Sequence, residues 1–336
     1  MAETGFLQQI SSFSQPINPR NPVSFVRVLL PITHYPLPIT YYLFPITYSL
    51  NMRQLIIRNH TFDWGSRTYL MGILNFTPDS FSDGGLFNSL ESALNKAQTM
   101  IESGADIIDI GGQSTRPGAT EISLEEELDR VIPLISKMRS RQDFCGTIPI
   151  SIDTTRSEVA KAAIEAGADI VNDISGAVFD EKMLSTVASL GVPLILMHIR
   201  GKPQNMQKLT DYQDLISEIY AFLEERIKAA IASGISPENI IIDPGIGFAK
   251  TSEQNLEILR KIPQFQGLNC PILIGVSRKS FIGHILEQPD PQKRVWGTAA
   301  ACVSAIVNYA DILRVHDVKE MSDVTRVADA IWRTKN

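Results

Sequence analysis

Asn75, Asp109, Asp153, Asn172, Asp173, His198, Asp243, Lys279, Arg314 and His316 share one property: each stands at, near or just after the end of a short run rich in Ile, Leu and Val. A carboxylate carried into an apolar strand loses its hydration unless a donor reaches it. Asp153, Asn172, Asp243 and Lys279 offer the alternating donors and acceptors that would face one planar heterocycle. Each also has an ordinary alternative. Asp153 would cap the helix beginning near Thr155, Asp243 would organise the Pro244-Gly245 turn, and Asn172 would satisfy backbone groups. Considered together, the four point to a polar, selective pocket.

A second group suits an anion. Thr115 and Arg116 lie in the loop 111–118, GGQSTRPG, Arg314 and His316 close the last apolar run, and Asn75 offers an amide oxygen. An arginine fork donates paired hydrogen bonds to phosphate, and a histidine adds a shorter donor and a charge when protonated. Asn75 and diphosphate oxygens would share Mg²⁺, a hard cation that prefers oxygen. This chemistry favours departure of diphosphate over phosphoryl transfer to a side chain; the competing reading makes Arg116 and Arg314 salt-bridged loop braces. Neither a GxxxxGK[ST] loop nor a GxGxxG fingerprint is present. The segment 75–85, NFTPDSFSDGG, has the composition of a mobile polar cover, and Gly245 and Gly247 would bring Phe248 up as an aromatic wall. Ser277 is read as a donor to a carboxylate, and His198 as a shaper of the pocket rather than a base, since no nucleophile elbow is present.

The elements that must position these residues follow from the apolar runs at 69–74, 106–110, 148–152, 169–171, 193–197, 240–242, 271–274 and 311–315. They are too short for helices and lack the alternation of a half-exposed strand, so they read as buried parallel strands. Helical stretches fall at 88–103, 124–138, 156–166, 181–190, 212–233, 253–262, 292–309 and 318–332. Leu90, Ala93, Leu94, Ala97, Met100 and Ile101 make one apolar face at helical spacing. Ser123 three residues before Glu126, and Thr155 three before Glu158, predict N-caps. With an antiparallel hairpin over 54–67 in front, eight strand-helix units in the 285 residues from Met52 suit an α/β fold, a closed (β/α)₈ TIM barrel. A doubly wound sheet is the rival, but it would gather polar residues near one switch point rather than after nearly every strand.

Residues 1–51 differ in kind from 52–336, the expected catalytic domain. They hold 7 of the 19 prolines but only 3 of the 68 charged residues, and Pro-Ile-Thr recurs at Pro31, Pro38 and Pro45. Proline in each repeat opposes helix, and no apolar run is long enough to span a membrane. The segment reads as an irregular or disordered extension, with true initiation expected at Met52; an organelle or membrane-surface segment is the alternative. The net charge of -6 argues against a chain whose main work is coating nucleic acid or an anionic membrane, and no integral membrane association is expected. Cys145, Cys270 and Cys302 are too scattered for a zinc framework, which suits reduced thiols in the cytoplasm.

The ordered segments MGILNFTPDSFSDGG (71–85), DIGGQSTRPG (109–118), PISIDTTR (149–156), ADIVNDISG (168–176), LMHIRGKPQNMQ (196–207), DPGIGFAK (243–250), IGVSRKSFIG (274–283) and RVHDV (314–318) resemble the dihydropteroate synthase family. The resemblance implies a barrel, commonly a homodimer, that condenses 6-hydroxymethyl-7,8-dihydropterin diphosphate with 4-aminobenzoate to give 7,8-dihydropteroate and diphosphate. It assigns Asp109, Asp153, Asn172, Asp243 and Lys279 to the pterin, with Met197 and Gly275 among the substrate contacts. Asn75 is assigned to Mg²⁺ and diphosphate, with Thr115, Arg116, Arg314 and His316 around the leaving group. Pro117, Phe248, Lys279 and Ser277 are assigned to aminobenzoate, and the loop carrying Asp79 and Asp83 to ordering over the reacting groups. Gln113 and Ala249 stand where many relatives have Glu and Gly. A pterin-binding methyltransferase domain and a catalytically silent pterin-binding protein remain the alternatives.

Overall fold

Alternate residues of a strand face opposite sides, and in this chain the two sides carry different chemistry. The computed structural model describes residues 54–76, 85–114, 118, 120–141 and 143–333. The expected extension at 1–51 and the site residues Asp79, Asp83, Thr115, Arg116 and Pro117 lie outside the described residues. An antiparallel hairpin, β1 (Gln54–Ile57) and β2 (His60–Asp63), comes first. Then follow β3 (Tyr69–Asn75), β4 (Ile107–Gly111), β5 (Ile150–Asp153), β6 (Ile170–Asp173), β7 (Leu194–Met197), β8 (Ile240–Asp243), β9 (Leu273–Ile274) and β10 (Ile312–Val315). These eight strands are parallel, in the order β8-β7-β6-β5-β4-β3-β10-β9. The ring closes through the parallel bridge between Ile242 and Ile272. The TIM barrel with an N-terminal hairpin is therefore present among the described residues.

The outer layer comprises α1 (Gly85–Glu102), α2 (Leu124–Arg139), α3 (Phe144–Thr147), α4 (Ser157–Glu165), α5 (Met183–Leu190), α6 (Leu215–Ala232), α7 (Ser252–Lys261), α8 (Ser280–Ile285), α9 (Val295–Val307) and α10 (Val318–Trp332). Outward strand residues such as Leu70, Ile108, Ile150 and Val171 pack with the helices in the main core; Ala93, Leu94, Ala97 and Met100 supply the face expected of α1. Ser123 caps α2 by accepting from the Glu126 amide at 3.1 Å. Thr155 does not cap α4: Arg156 occupies that position without a side-chain bond, and Asp180 from the next strand-helix loop accepts the Ser157 amide at 2.7 Å. The six-residue α8 was not anticipated, because one and a half turns around Gly283 show no helical period.

Inward residues form two layers. Tyr69, Met71, Ile107, Ile170, Ile195, Ile241, Leu273 and Ile312 cluster with Leu55, Ile57, Phe62 and Trp64 of the hairpin, which plugs the N-terminal end. Two residues further along the same strands, with the same parity, stand Asp109, Asn172, Met197, Asp243, Gly275 and Arg314. The apolar layer thus closes one end of the barrel and leaves the other end for polar groups. Asp173 has the opposite parity from Asn172, so it belongs to the outer side. No helix among the described residues is long and apolar enough to cross a membrane.

Candidate active site

Arg314 ties the floor together. Its Nε donates to Asp109 Oδ2 at 2.6 Å and its Nη2 donates to Asp153 Oδ2 at 2.7 Å. Asn172 Nδ2 donates to the other side of Asp109, at 3.2 and 3.4 Å to its two oxygens. Burial works against the Arg314 charge, but Asp109 and Asp153 outweigh it and hold the guanidinium above its ordinary range. Burial pushes the Asp153 carboxyl up while Arg314 pulls it down; the net direction is upward. Asp153 Oδ1 is buried and has no hydrogen-bond partner among the described residues. An acceptor left bare in this way costs about 1–3 kcal/mol, which suits a group held ready for a ligand.

Above this floor opens a cavity of about 590 Å³ lined by Asn75, Asn172, Met197, Asp243, Phe248, Gly275, Ser277, Lys279, Arg314 and His316. Ten sequence-derived site residues therefore converge on one space, while Asp109 lies fully buried beneath it as a partner of Arg314 and Asn172. Asp243 Oδ1 accepts the Gly245 amide at 2.7 Å, yet burial still lifts its carboxyl to about 6. Lys279 Nζ sits 4.2 Å from the Phe248 ring centroid, a cation–π contact. Burial and then Arg314 lower Lys279 to about 8, against the pull of Asp243 and Asp153. The turn that carries Phe248 depends on glycine at two places. Gly245 has φ +76 and a Cβ there would overlap the His198 carbonyl oxygen; Gly247 has φ +83 and a Cβ would lie 2.9 Å from Lys279 Cδ.

Two expectations change with the geometry. His316 is pushed down to about 2, by burial first and then by Arg278, Arg314, Lys96 and Lys279, so it is a neutral ring near pH 7 rather than a second cation. Its Nδ1 lies 3.0 Å from Ser277 Oγ, and that hydroxyl oxygen also accepts the His316 amide at 3.1 Å. Ser277 is thus buried and already engaged, whereas Ser280 is exposed and lines the same cavity. Arg278, in the left-handed region with φ +59, holds this corner through Asp317, its Nε donating to Oδ2 at 3.0 Å. His198 does not pair with Ser277; its partner is Lys250.

The expected Mg²⁺ at Asn75 is corrected. Among the described residues no group of three or more His, Cys, Asp or Glu side chains is placed to hold a metal ion. The chemical reason is visible in the floor: Asp109 and Asp153 spend oxygens on Arg314, and Asn75 alone brings one neutral amide.

Sequence reasoning missed Ile174, Met206 and Ile246, which join Met197 and Phe248 in the lining. Ile174, Met206, Met197 and Phe248 also share one apolar cluster. Their apolar types gave no chemical signal. Asp153 does not line this cavity; it lines a second one of about 660 Å³, together with Gln113, Arg156, Lys202 and Ile174, the last of which lines both.

The pterin-binding enzyme family matches residues 71–316. The dihydropteroate synthase of Synechocystis sp. is 61% identical over 272 residues, covering 81% of this chain and 93% of that protein. The chain spans 38% and 36% of two fungal folic acid synthesis proteins that it also matches. The Xanthomonas albilineans dihydropteroate synthase solved with 4-aminobenzoic acid is 40% identical, with 84% of this chain and 99% of that chain covered and a TM-score of 0.77. The same organism's enzyme in complex with 7,8-dihydropteroate is 38% identical, with 81% and 96% covered and a TM-score of 0.72.

Proposed function

The chain belongs to the dihydropteroate synthase family, and from that premise we infer how its barrel mouth condenses 6-hydroxymethyl-7,8-dihydropterin diphosphate with 4-aminobenzoate to give 7,8-dihydropteroate and diphosphate. The observation that carries the reading is a cavity that gathers Asn172, Asp243, Lys279 and Arg314, with Asp153, which keeps one bare oxygen, joined to it through Arg314. Asp153 and Asp243 accept from the N–H groups of the pterin, and Lys279 donates to a ring acceptor. Asn172 has committed its amide nitrogen to Asp109 and keeps its carbonyl oxygen as an acceptor. Met197, Phe248 and Gly275 lie along the flat faces of the ring.

The reaction breaks the bond between the pterin methylene carbon and diphosphate oxygen and forms one to the arylamine nitrogen. The leaving group keeps the electron pair and the amine loses a proton. Negative charge grows on diphosphate, so Arg314 and Lys279 stabilise the departing side, with Asn75 and neutral His316 as polar contacts. Arg116 and Thr115 are proposed for the same anion. The electron-rich reduced pterin and the Asp153 carboxyl stabilise positive charge at the methylene carbon. A neutral arylamine needs position more than deprotonation. Phe248, Lys279 and Pro117 are proposed to supply it, together with Asp79 and Asp83. For the aminobenzoate carboxylate, the exposed Ser280 hydroxyl replaces Ser277, whose oxygen His316 occupies.

A mass-resolved assay of the purified chain tests this: dihydropteroate and diphosphate are expected only when both substrates are present. Saturable pterin binding without product would establish the silent reading, and corrinoid-dependent methyl transfer the methyltransferase. The unpaired thiols Cys270 and Cys302 support a cytoplasmic setting.

A homodimer is proposed from the α10 surface. Tyr309, Val327, Ile331 and Trp332 are exposed, and Arg333 donates to the Ala310 carbonyl, which brings Tyr309 beside the end of α10. Such a patch suits a second copy meeting it about a two-fold axis. Sedimentation velocity is expected to give a dimer for the chain and a monomer for the Val327→Glu/Ile331→Glu variant; a monomeric parent chain overturns the proposal.

A further inference from the structure

Lys250 is a buried lysine that the chemistry above leaves unused. It is 3% exposed and ends the turn that carries Phe248. Among the described residues its ammonium meets no carboxylate at ion-pair distance: Nζ lies 3.0 Å from His198 Nδ1 and donates to the Phe248 carbonyl at 2.9 Å. A Cβ on Gly245 would lie 3.3 Å from that Nζ, so the ammonium sits against the same turn whose Gly245 amide holds Asp243. The Asp243 carbonyl in turn accepts the His198 amide at 2.9 Å.

An ammonium in such surroundings is expensive to keep charged. Burial lowers Lys250 to about 7, Asp243 favours its charge, and Lys279 and Arg200 oppose it. His198 contributes no charge of its own: burial first, then Lys250 and Arg200, push it down to about 2. Tyr212 closes the remaining side, its hydroxyl donating to the Ala249 carbonyl at 3.0 Å while Arg200 stacks on its ring. Asp243 is thus the acid that profits, since Lys279 and Lys250 both favour its ionised form.

We propose that Lys250 is a positioning residue of this site: a buried cation that keeps Asp243 ionised for the pterin and anchors the Phe248 aromatic wall through its carbonyl. The arrangement places two lysines around one turn with different tasks. Lys279 reaches into the cavity, whereas Lys250 acts from behind it. The inference rests on the pterin reading of the cavity, because Asp243 must be an acceptor for the argument to have an effect.

Calorimetric binding of 6-hydroxymethyl-7,8-dihydropterin between pH 5 and 8, together with steady-state kinetics, tests it. The parent chain is expected to lose affinity in two steps as the pH falls, through about 7 where Asp153 takes up a proton and through about 6 where Asp243 does; the lower step is the acid limb that reports on Lys250. In Lys250→Gln, which keeps hydrogen-bonding capacity without charge, that acid limb is expected to move up by about one pH unit. Lys250→Arg, which keeps the charge, is expected to leave it in place. Lys250→Met is expected to move the limb and also raise KM for aminobenzoate severalfold. A folded Lys250→Gln variant with the parent's acid limb overturns the inference, and so does a limb that moves equally in Lys250→Arg. If the parent chain does not bind the pterin at all, the functional reading fails instead.

Discussion

Arg314→Ala is expected to lower kcat/KM for dihydropteroate formation by at least about a hundredfold, equivalent to about 3 kcal/mol in the barrier. Two losses combine. The departing diphosphate loses a guanidinium at the cavity floor, and Asp109 and Asp153 lose the donor that reaches them at 2.6 and 2.7 Å. Removing one member of a buried ion pair costs about 3–5 kcal/mol of stability, because the partner stays buried and charged. Asp153, already raised by burial, then loses the cation that opposes that rise and moves further up. Its folded pKa lies above the unfolded one, so its contribution is fully present below the unfolded value and is lost as pH rises through the folded one. The variant is therefore expected to melt closest to the parent in acid and furthest from it above neutrality. Adding Asp109→Asn should restore part of the melting temperature without restoring turnover. Parent-like turnover in folded Arg314→Ala would remove Arg314 from the mechanism.

The interplay of Arg314 with its acids also explains what the sequence reveals and what it conceals. Asp109, Asp153, Asn172, Asp243 and Arg314 announce themselves as polar residues at the ends of apolar runs, and the period of two along each strand is local information. That period, counted from Ile170, separates Asn172 from Asp173, a distinction the run itself does not make obvious. Charge state is different, because it depends on what packs across the barrel. Arg314 meets Asp153 across 161 residues of chain, and His316 is neutral because Lys96, Arg278, Arg314 and Lys279 crowd a buried ring from different elements. The Ser277 and Ser280 hydroxyls look alike in the segment SRKS until His316 is seen bonded to one of them. The Mg²⁺ expectation failed for the same reason: nothing local to Asn75 discloses that Asp109 and Asp153 are committed to a guanidinium. Lys250 hid in plain view, since a lysine after GFA reads as solvated until the fold buries it.

Lys279→Met is expected to reduce kcat/KM by about a hundredfold to a thousandfold, the effect of deleting one preorganised donor from a dry site. The pH dependence separates this from simple unfolding. Lys279 is lowered to about 8, so the free enzyme loses this cation as the pH rises through that value. The parent's kcat/KM is then expected to fall above pH 8, while the variant's residual kcat/KM stays level there. With diphosphate bound nearby the charged form gains a partner, and the same limb in kcat should lie at higher pH. The stability effect has the opposite sense. Between about 8 and the ordinary lysine value of 10.5 the unfolded chain holds a proton that the folded chain does not, so the parent gains stability with rising pH in that window. Lys279→Met lacks this gain. Thermal melts from pH 7 to 10 should therefore show the parent rising relative to the variant while its activity declines. Equal pH dependence of both quantities in the two proteins would place Lys279 outside the charge network of the cavity.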